Sequence, residues 1–366
     1  MAVAADRGVR AQEGGKKYDV LPVDEQQKPF ALRLPEMFST GAVKAGDDDA
    51  LTDYFSLYYF PDWTQAKNAG QLPEKRRKFC LALRKAAGGA APQFHDRLNS
   101  VALEFMNKLA QGNFAPVVRV NAMLLIGDLN ATEAVRTGVQ PQPLPEALPV
   151  LLKNIDNPKQ IDAVKAAALV GVARHVTMSG GDAAVAAAML KVLKTPIPPG
   201  QIGDGYAAVQ AGAAGVLGQL GVPGDGGANA AALAVLAANA KAPLAARCAA
   251  ARALGYLNYG SGVKTGDLTA ALAHLALDAL DDEKPLLLRR LQWRLRCVTI
   301  GLTGAGAQRT GVLGATDPGH RQPGDALQKT LDKLLKIDAG ADVEVQAQSV
   351  KAGQVELNNI VEKTSK

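Results

Sequence analysis

The sequence is poorest in the residues that do most protein chemistry. It has four histidines, three cysteines and 5% aromatic residues in 366. His95, His175, His274 and His320 fall in separate segments, with no HxxxH or HExxH spacing, so a helix-borne zinc site is not indicated and each reads as a surface or boundary residue. Cys80, Cys248 and Cys297 are far apart, odd in number and without a CxxC. That argues against a disulfide framework or a cysteine metal site, and each reads as a small buried hydrophobe in an apolar helical run. No G-x-S-x-G or Walker A sequence occurs, which removes two common catalytic frameworks. Gly304-Ala305-Gly306 starts like a dinucleotide fingerprint, but Arg309 replaces its third glycine and the preceding run reads as helix. Asn130-Ala131-Thr132 matches a glycosylation acceptor, a pattern short enough to recur by chance. No catalytic residue, metal ligand or cofactor site is therefore expected.

Long apolar runs are missing too. None reaches the roughly 18 residues of a membrane span. The start of the chain has no apolar signal core, so the default expectation is a cytoplasmic protein, with export after removal of a leader left open. Alternating β-branched residues are scarce, and sheet is not expected.

Alanine, leucine and glycine are plentiful, and hydrophobic residues reach 48%, enough for a large core. Alanine and the straight-chain residues favour helix. Residues 1–50 read as an irregular, extended N-terminal segment in which Pro29-Phe-Ala-Leu-Arg-Leu-Pro35 is a short apolar anchor. Leu51, Tyr54, Phe55 and Tyr58 share a helical face that Pro61 ends; the ring cluster up to Trp63 reads as a cap on an Ala-rich stack, with an aromatic binding site as the alternative.

Beyond this point one pattern recurs. Val118–Leu129, Ala163–Ala173, Val209–Leu220, Ala246–Leu257 and Leu291–Leu302 are apolar helices, each with a glycine near its C-terminal end: Gly127, Gly171, Gly218, Gly255 and Gly301. The separations are 44, 47, 37 and 46 residues. A glycine inside a helix costs about 1 kcal/mol relative to alanine, so its recurrence implies a compensating close approach of a neighbouring helix. A second apolar helix precedes several of these units, as in 144–153, 182–193, 228–240 and 267–280, with turns such as Asp156-Asn-Pro158 between partners.

These units resemble HEAT repeats, whose period is roughly 40–47 residues. Ala246–Leu257 is the most similar, with its arginine, small residues and Ala-Leu-Gly. The resemblance covers about residues 114–302. It implies an all-α, right-handed superhelix of about five to six helix pairs, whose second helices line a concave, macromolecule-binding face. The expected organisation is the N-terminal segment 1–50, a solenoid over 51–336 with a loop insert at 303–324, and a helical tail over 337–366. Further Gly/Pro inserts at 136–145, 195–205 and 221–227 depart from the family pattern. Some HEAT enzymes hold iron with His-Glu pairs, and no His-Glu pair exists here.

Charge supplies the remaining lead. Residues 73–130 carry 9 basic and 4 acidic side chains, and residues 284–337 carry 10 and 3. Solvated helix faces account for such stretches as well as anionic partners do. The first holds Arg76, Arg77 and Arg84; the second holds Arg289, Arg290 and Arg294 around Trp293. Arginine beside an exposed tryptophan could grip phosphates and stack a base. The preferred alternative buries Trp293 and pairs the arginines with Asp278, Asp281, Asp282 and Glu283. The expected function is a non-enzymatic scaffold that binds a protein on its concave face. The alternative is nucleic-acid binding, in the manner of HEAT-fold DNA glycosylases. Oligomeric state is not legible.

Overall fold

A computed structural model describes residues 10–13, 16–40, 44, 46–88, 92–196, 203–260, 263–281, 288–306 and 309–364. The protein is all-α in character: sixteen α-helices lie among these residues, and sheet is limited to two short hairpins. The chain forms two compact units, Met1–Gly180 and Gly181–Lys366.

The first unit begins with an antiparallel hairpin, β1 (Arg10–Glu13) and β2 (Lys16–Asp19). A 3-10 segment over Glu25–Leu32 follows, then α1 (Leu34–Thr40) and α2 (Asp47–Asp53). More of residues 1–50 is regular than their composition suggests. Arg33 accounts for part of this, because it clasps the buried Asp47 carboxylate at 2.8 Å. The aromatic stretch forms a wide π turn, Tyr54–Tyr59, and a 3-10 turn, Pro61–Thr64. Phe60 and Trp63 are wholly buried. The Phe60 ring meets Phe79 at 5.2 Å and Phe105 at 5.4 Å, in the next two helices, α3 (Leu72–Gly88) and α4 (Pro92–Gln111). Three elements are thus joined by rings at favourable tilted or edge contacts. Next come α5 (Pro116–Asp128), the hairpin β3 (Asn130–Thr132) and β4 (Gln142–Pro143), α6 (Ala147–Asp156) and α7 (Asp162–Ser179). Pro116 occupies the first turn of α5, where a missing N–H costs nothing. Helix α4 packs on α5, α6 on α7, and α5 on α7.

The second unit contains α8 (Ala183–Lys194), α9 (Gly203–Leu220), α10 (Ala228–Ala238), α11 (Leu244–Leu254), α12 (Thr265–Asp281) and α13 (Leu288–Thr303). The short α14 (Gly311–Ala315) precedes α15 (Gln322–Leu335) and α16 (Val343–Thr364). The Asp182 side chain caps α8 by accepting from the Val185 amide, and Lys191 and Lys194 in its last turn suit the helix dipole. Helix α8 packs on α9, α10 on α11 and α12 on α13. Helices α9, α11 and α13 also pack in series, and α10 touches both α8 and α12.

All five repeat glycines stand at helix contacts. A Cβ on Gly127 would lie 2.7 Å from the Gly171 Cα, and one on Gly218 would lie 3.1 Å from Ala253. On Gly255 it would lie 1.9 Å from the Ile300 carbonyl oxygen, and on Gly301 2.3 Å from that of Ala251. Helices α5 and α7, α9 and α11, and α11 and α13 therefore touch where side chains are absent.

Three sequence expectations change. Residues 303–324 are not one loop: α14 buries Val312 and Leu313, and α15 starts within the segment. His95 and His175 are core residues, at 4% and 3% exposure, where surface or boundary positions were expected. Asn130 is buried and accepts a hydrogen bond from Arg174 through its side-chain oxygen, which ill suits a glycosylation acceptor. Gly14, Gly15, Asp282, Glu283 and part of the 195–205 insert lie outside the described residues.

Candidate functional site

The first basic cluster is largely neutralised within its own unit. Lys75 holds Asp62 at 2.6 Å, and Arg76 reaches Asp128 at 3.3 Å. Arg77 grips Glu74 with two hydrogen bonds of 2.7 Å, and Lys78 lies 3.9 Å from the same carboxylate. Glu74 is held below its usual pKa by that Arg77 bond. Arg84 is exposed two turns beyond Arg77, on the same side of α3. Lys75, Arg76 and Arg77 thus each have a carboxylate partner, in Asp62, Asp128 and Glu74.

The second cluster is different. Trp293 is 53% exposed, so the preferred reading of a buried indole is corrected. The helical period explains the outcome. Leu291, Leu295 and Val298 face the core of the unit, which leaves Trp293 on the opposite side with the exposed Arg289 and Arg296. Arg294 turns inward and is 4% exposed, and both Arg290 and Arg294 are already engaged. The expected pairing with Asp278 belongs instead to Arg247, on α11.

Trp293 forms one wall of a groove of about 280 Å³. Ala211, Gly215 and Gly218 of α9 and Ala249 and Ala253 of α11 make a floor of small residues. Arg252 and Tyr256 form the facing wall. Their side chains brace one another: the guanidinium lies 5.7 Å from the Tyr256 ring centroid and donates to its hydroxyl at 3.1 Å. Cation–π contact of this kind fixes an arginine in place while leaving its charge outward. Among the described residues no carboxylate lines the groove. Cys297 lines the groove, and the nearby Cys297 thiol together with burial pushes the Cys248 thiol far up. Among the described residues all three cysteines are free.

Of the binding residues singled out from sequence, only Trp293 lines this groove; Arg289, Arg290 and Arg294 share its helix and do not line it. Arg252, Tyr256 and the small-residue floor escaped notice. The available signal was positional: Gly218 and Arg252 lie in the same recurrent helix as Trp293, near the repeat glycine.

A second polar arrangement sits in the first unit. The buried His95 lies 3.8 Å from Glu133 and 3.4 Å from Asp96. Burial opposes a charge on this imidazole, but the carboxylates of Glu133 and Asp96 prevail and hold its pKa above the ordinary value. Asn99 donates to the Asn130 carbonyl at 2.8 Å, which ties α4 to β3. Arg174 donates to the Gly127 carbonyl at 3.0 Å, in the last turn of α5. These contacts knit the helix ends together. Among the described residues no group of three or more His, Cys, Asp and Glu is arranged to hold a metal ion, and no helix is long and apolar enough to cross a membrane.

No protein-family model matches the chain, and no curated protein matches it.

Proposed function

We propose that the chain is a non-enzymatic binding protein of HEAT-like, solenoid construction, and that the face formed by α9, α11 and α13 receives an acidic segment of a partner protein. The solenoid reading is supported by the order of contacts in the second unit, where second helices neighbour second helices and first helices neighbour first helices. It is also supported by the repeat glycines at those contacts. In such a stack the second helices share one face, and Trp293, Tyr256 and Arg252 lie on it.

The observation that carries the binding reading is the groove itself. A half-exposed tryptophan and a tyrosine line it together with alanine and glycine, with a braced arginine and, among the described residues, no acid. Tryptophan, tyrosine and arginine are the residues that dominate binding energy at protein interfaces. A floor without side chains lets a peptide backbone approach closely. Arg252 on the wall and Arg289 and Arg296 beside Trp293 select negative charge.

Nucleic acid is the second reading, favoured by Trp293 between Arg289 and Arg296 on one helix face. The test uses the full chain and fluorescein-labelled 15-residue peptide pools of acidic, neutral and basic composition, read by anisotropy. The acidic pool binds, and Trp293→Ala or Arg252→Ala weakens it at least tenfold with an unchanged helical spectrum. Indifference to both substitutions contradicts the proposal. Preferential binding of single-stranded DNA, lost steeply with salt, replaces it by the nucleic-acid reading.

A further inference from the structure

The first unit carries a cleft of opposite character. About 660 Å³ opens between α4 and the start of α6 over β3. Asp96, Ser100 and Glu104 stand at intervals of four along the outer side of α4, and Glu146 faces them from the residue before α6. Leu103, Ala131, Leu144, Pro145 and Val150 supply apolar surface between the carboxylates. Among the described residues no lysine or arginine lines the cleft. Neither Glu104 nor Glu146 is paired with a cation among the described residues. Asp96 has only the His95 imidazole, at 3.4 Å, so the three carboxylates around the cleft still repel one another, and an incoming cation relieves that repulsion.

The floor supplies the second, independent sign of a ligand. Asn99 lines the cleft and is 3% exposed. Its amide nitrogen is committed to the Asn130 carbonyl, which sets the orientation of the amide. Its Oδ1 is left buried without a donor. A buried acceptor without a partner costs about 1–3 kcal/mol, and a donor arriving with a ligand recovers it. The neighbouring Asn107 has no such deficit, because its Oδ1 already accepts from Gln111 at 2.8 Å and Asn154 at 3.3 Å.

We infer that this cleft is a binding site for an aliphatic ammonium group, its alkyl chain lying on Leu103, Leu144 and Val150, its charge among Asp96, Glu104 and Glu146, and one N–H directed to Asn99. The chemistry is that of a lysine side chain or of a free polyamine. It excludes anions and offers a bare metal ion only scattered monodentate carboxylates. The site belongs to the first unit and is independent of the groove in the second.

The experiment uses the full chain and two probes, fluorescein-labelled hexalysine and spermine, the latter as competitor. Fully acetylated hexalysine, which keeps the alkyl chain and loses the charge, is the control. Hexalysine binds, its acetylated form does not, and the Glu104→Gln/Glu146→Gln double variant weakens binding at least tenfold while circular dichroism and melting stay as in the parent. Competition by spermine with the peptide identifies a site open to free polyamines as well; binding of the peptide without competition confines the site to lysine side chains, and both outcomes support the assignment. A single Asn99→Leu substitution, if folded, weakens binding again. Equal affinity of parent and double variant, or equal binding of the acetylated control, overturns it.

Discussion

Glycine shows most sharply what a single residue decides here. Gly255 has φ of −72°, so its backbone asks nothing special of the residue type. The reason for glycine is space alone: a Cβ would stand 1.9 Å from the Ile300 carbonyl oxygen. Gly255→Ala is expected to lower the melting temperature, by an overpacking cost of about 1–3 kcal/mol, and Gly255→Leu to lower it further. Gly215 is the converse. It lies inside α9 with nothing within 4 Å of where a Cβ would be. Gly215→Ala is expected to stabilise by about 0.5–1 kcal/mol through helix propensity, and the added methyl on the groove floor is expected to weaken binding of the acidic pool. Thermal melts of both variants check this, and stabilisation by Gly255→Ala contradicts the packing argument. Gly306 belongs to neither class: its surroundings are open, but φ of +112° strains any side chain.

The two core histidines act with opposite sign. His175 is buried next to Arg174, and burial, then that charge, push its pKa from 6.5 down to about 4. Between those values the unfolded chain takes up a proton that the folded chain refuses, so stability falls as pH drops from 6.5 to 4. His95 has a raised pKa in the fold, so its contribution is present below the ordinary value and is lost as pH rises through the folded one. Urea unfolding of His175→Leu should show a flatter acid limb between pH 6.5 and 4 than the parent. A limb of equal slope excludes His175 as its source.

At the scale of elements, what the sequence disclosed was the period. The recurrent glycine helices became α5, α7, α9, α11 and α13, because apolar spacing and a small-residue contact both leave a trace in one dimension. Arginine adds a second trace. Arg119 and Arg247 each stand eight residues before the repeat glycine, at Gly127 and Gly255. Their Nε atoms donate to the carbonyls of Ala110 and Ala237, at the ends of the preceding helices α4 and α10. One side chain thus caps a helix C-terminus and fixes its partner. Arg247 also holds Asp278 of α12, joining three helices. Arg247→Leu removes both contacts and leaves a carbonyl and a carboxylate unserved; the expected loss is about 2–3 kcal/mol, read by chemical denaturation. A loss below about 0.5 kcal/mol would show that the contacts are incidental. Elements without a period were hidden. α14 is five residues among glycines, and the hairpin β3–β4 is pinned by Asn99 and Arg174, residues distant in sequence. The fate of Trp293 was hidden for the same reason: Leu291 and Leu295 announce an amphipathic helix, but whether the other side meets a neighbour is a tertiary fact.

At the scale of the molecule, the charge of +6 conceals a division of labour. Lys75, Arg76 and Arg77 pair with Asp62, Asp128 and Glu74, of which only Asp62 lies outside residues 73–130, so most of that segment's excess stands; on α13 Arg289 and Arg296 are exposed beside Trp293. Within the first unit an acid-lined cleft opens where composition reads as basic. Acrylamide quenching of tryptophan fluorescence tests the central assignment directly, because the chain has two tryptophans: Trp63 wholly buried and Trp293 half exposed on the groove wall. Quenching of the free chain should be dominated by Trp293, and saturation with the acidic peptide pool should suppress it to the level of the Trp293→Ala variant. Bound peptide with Trp293 still quenched as in the free chain would contradict the assignment of the α9–α11–α13 face as the binding surface.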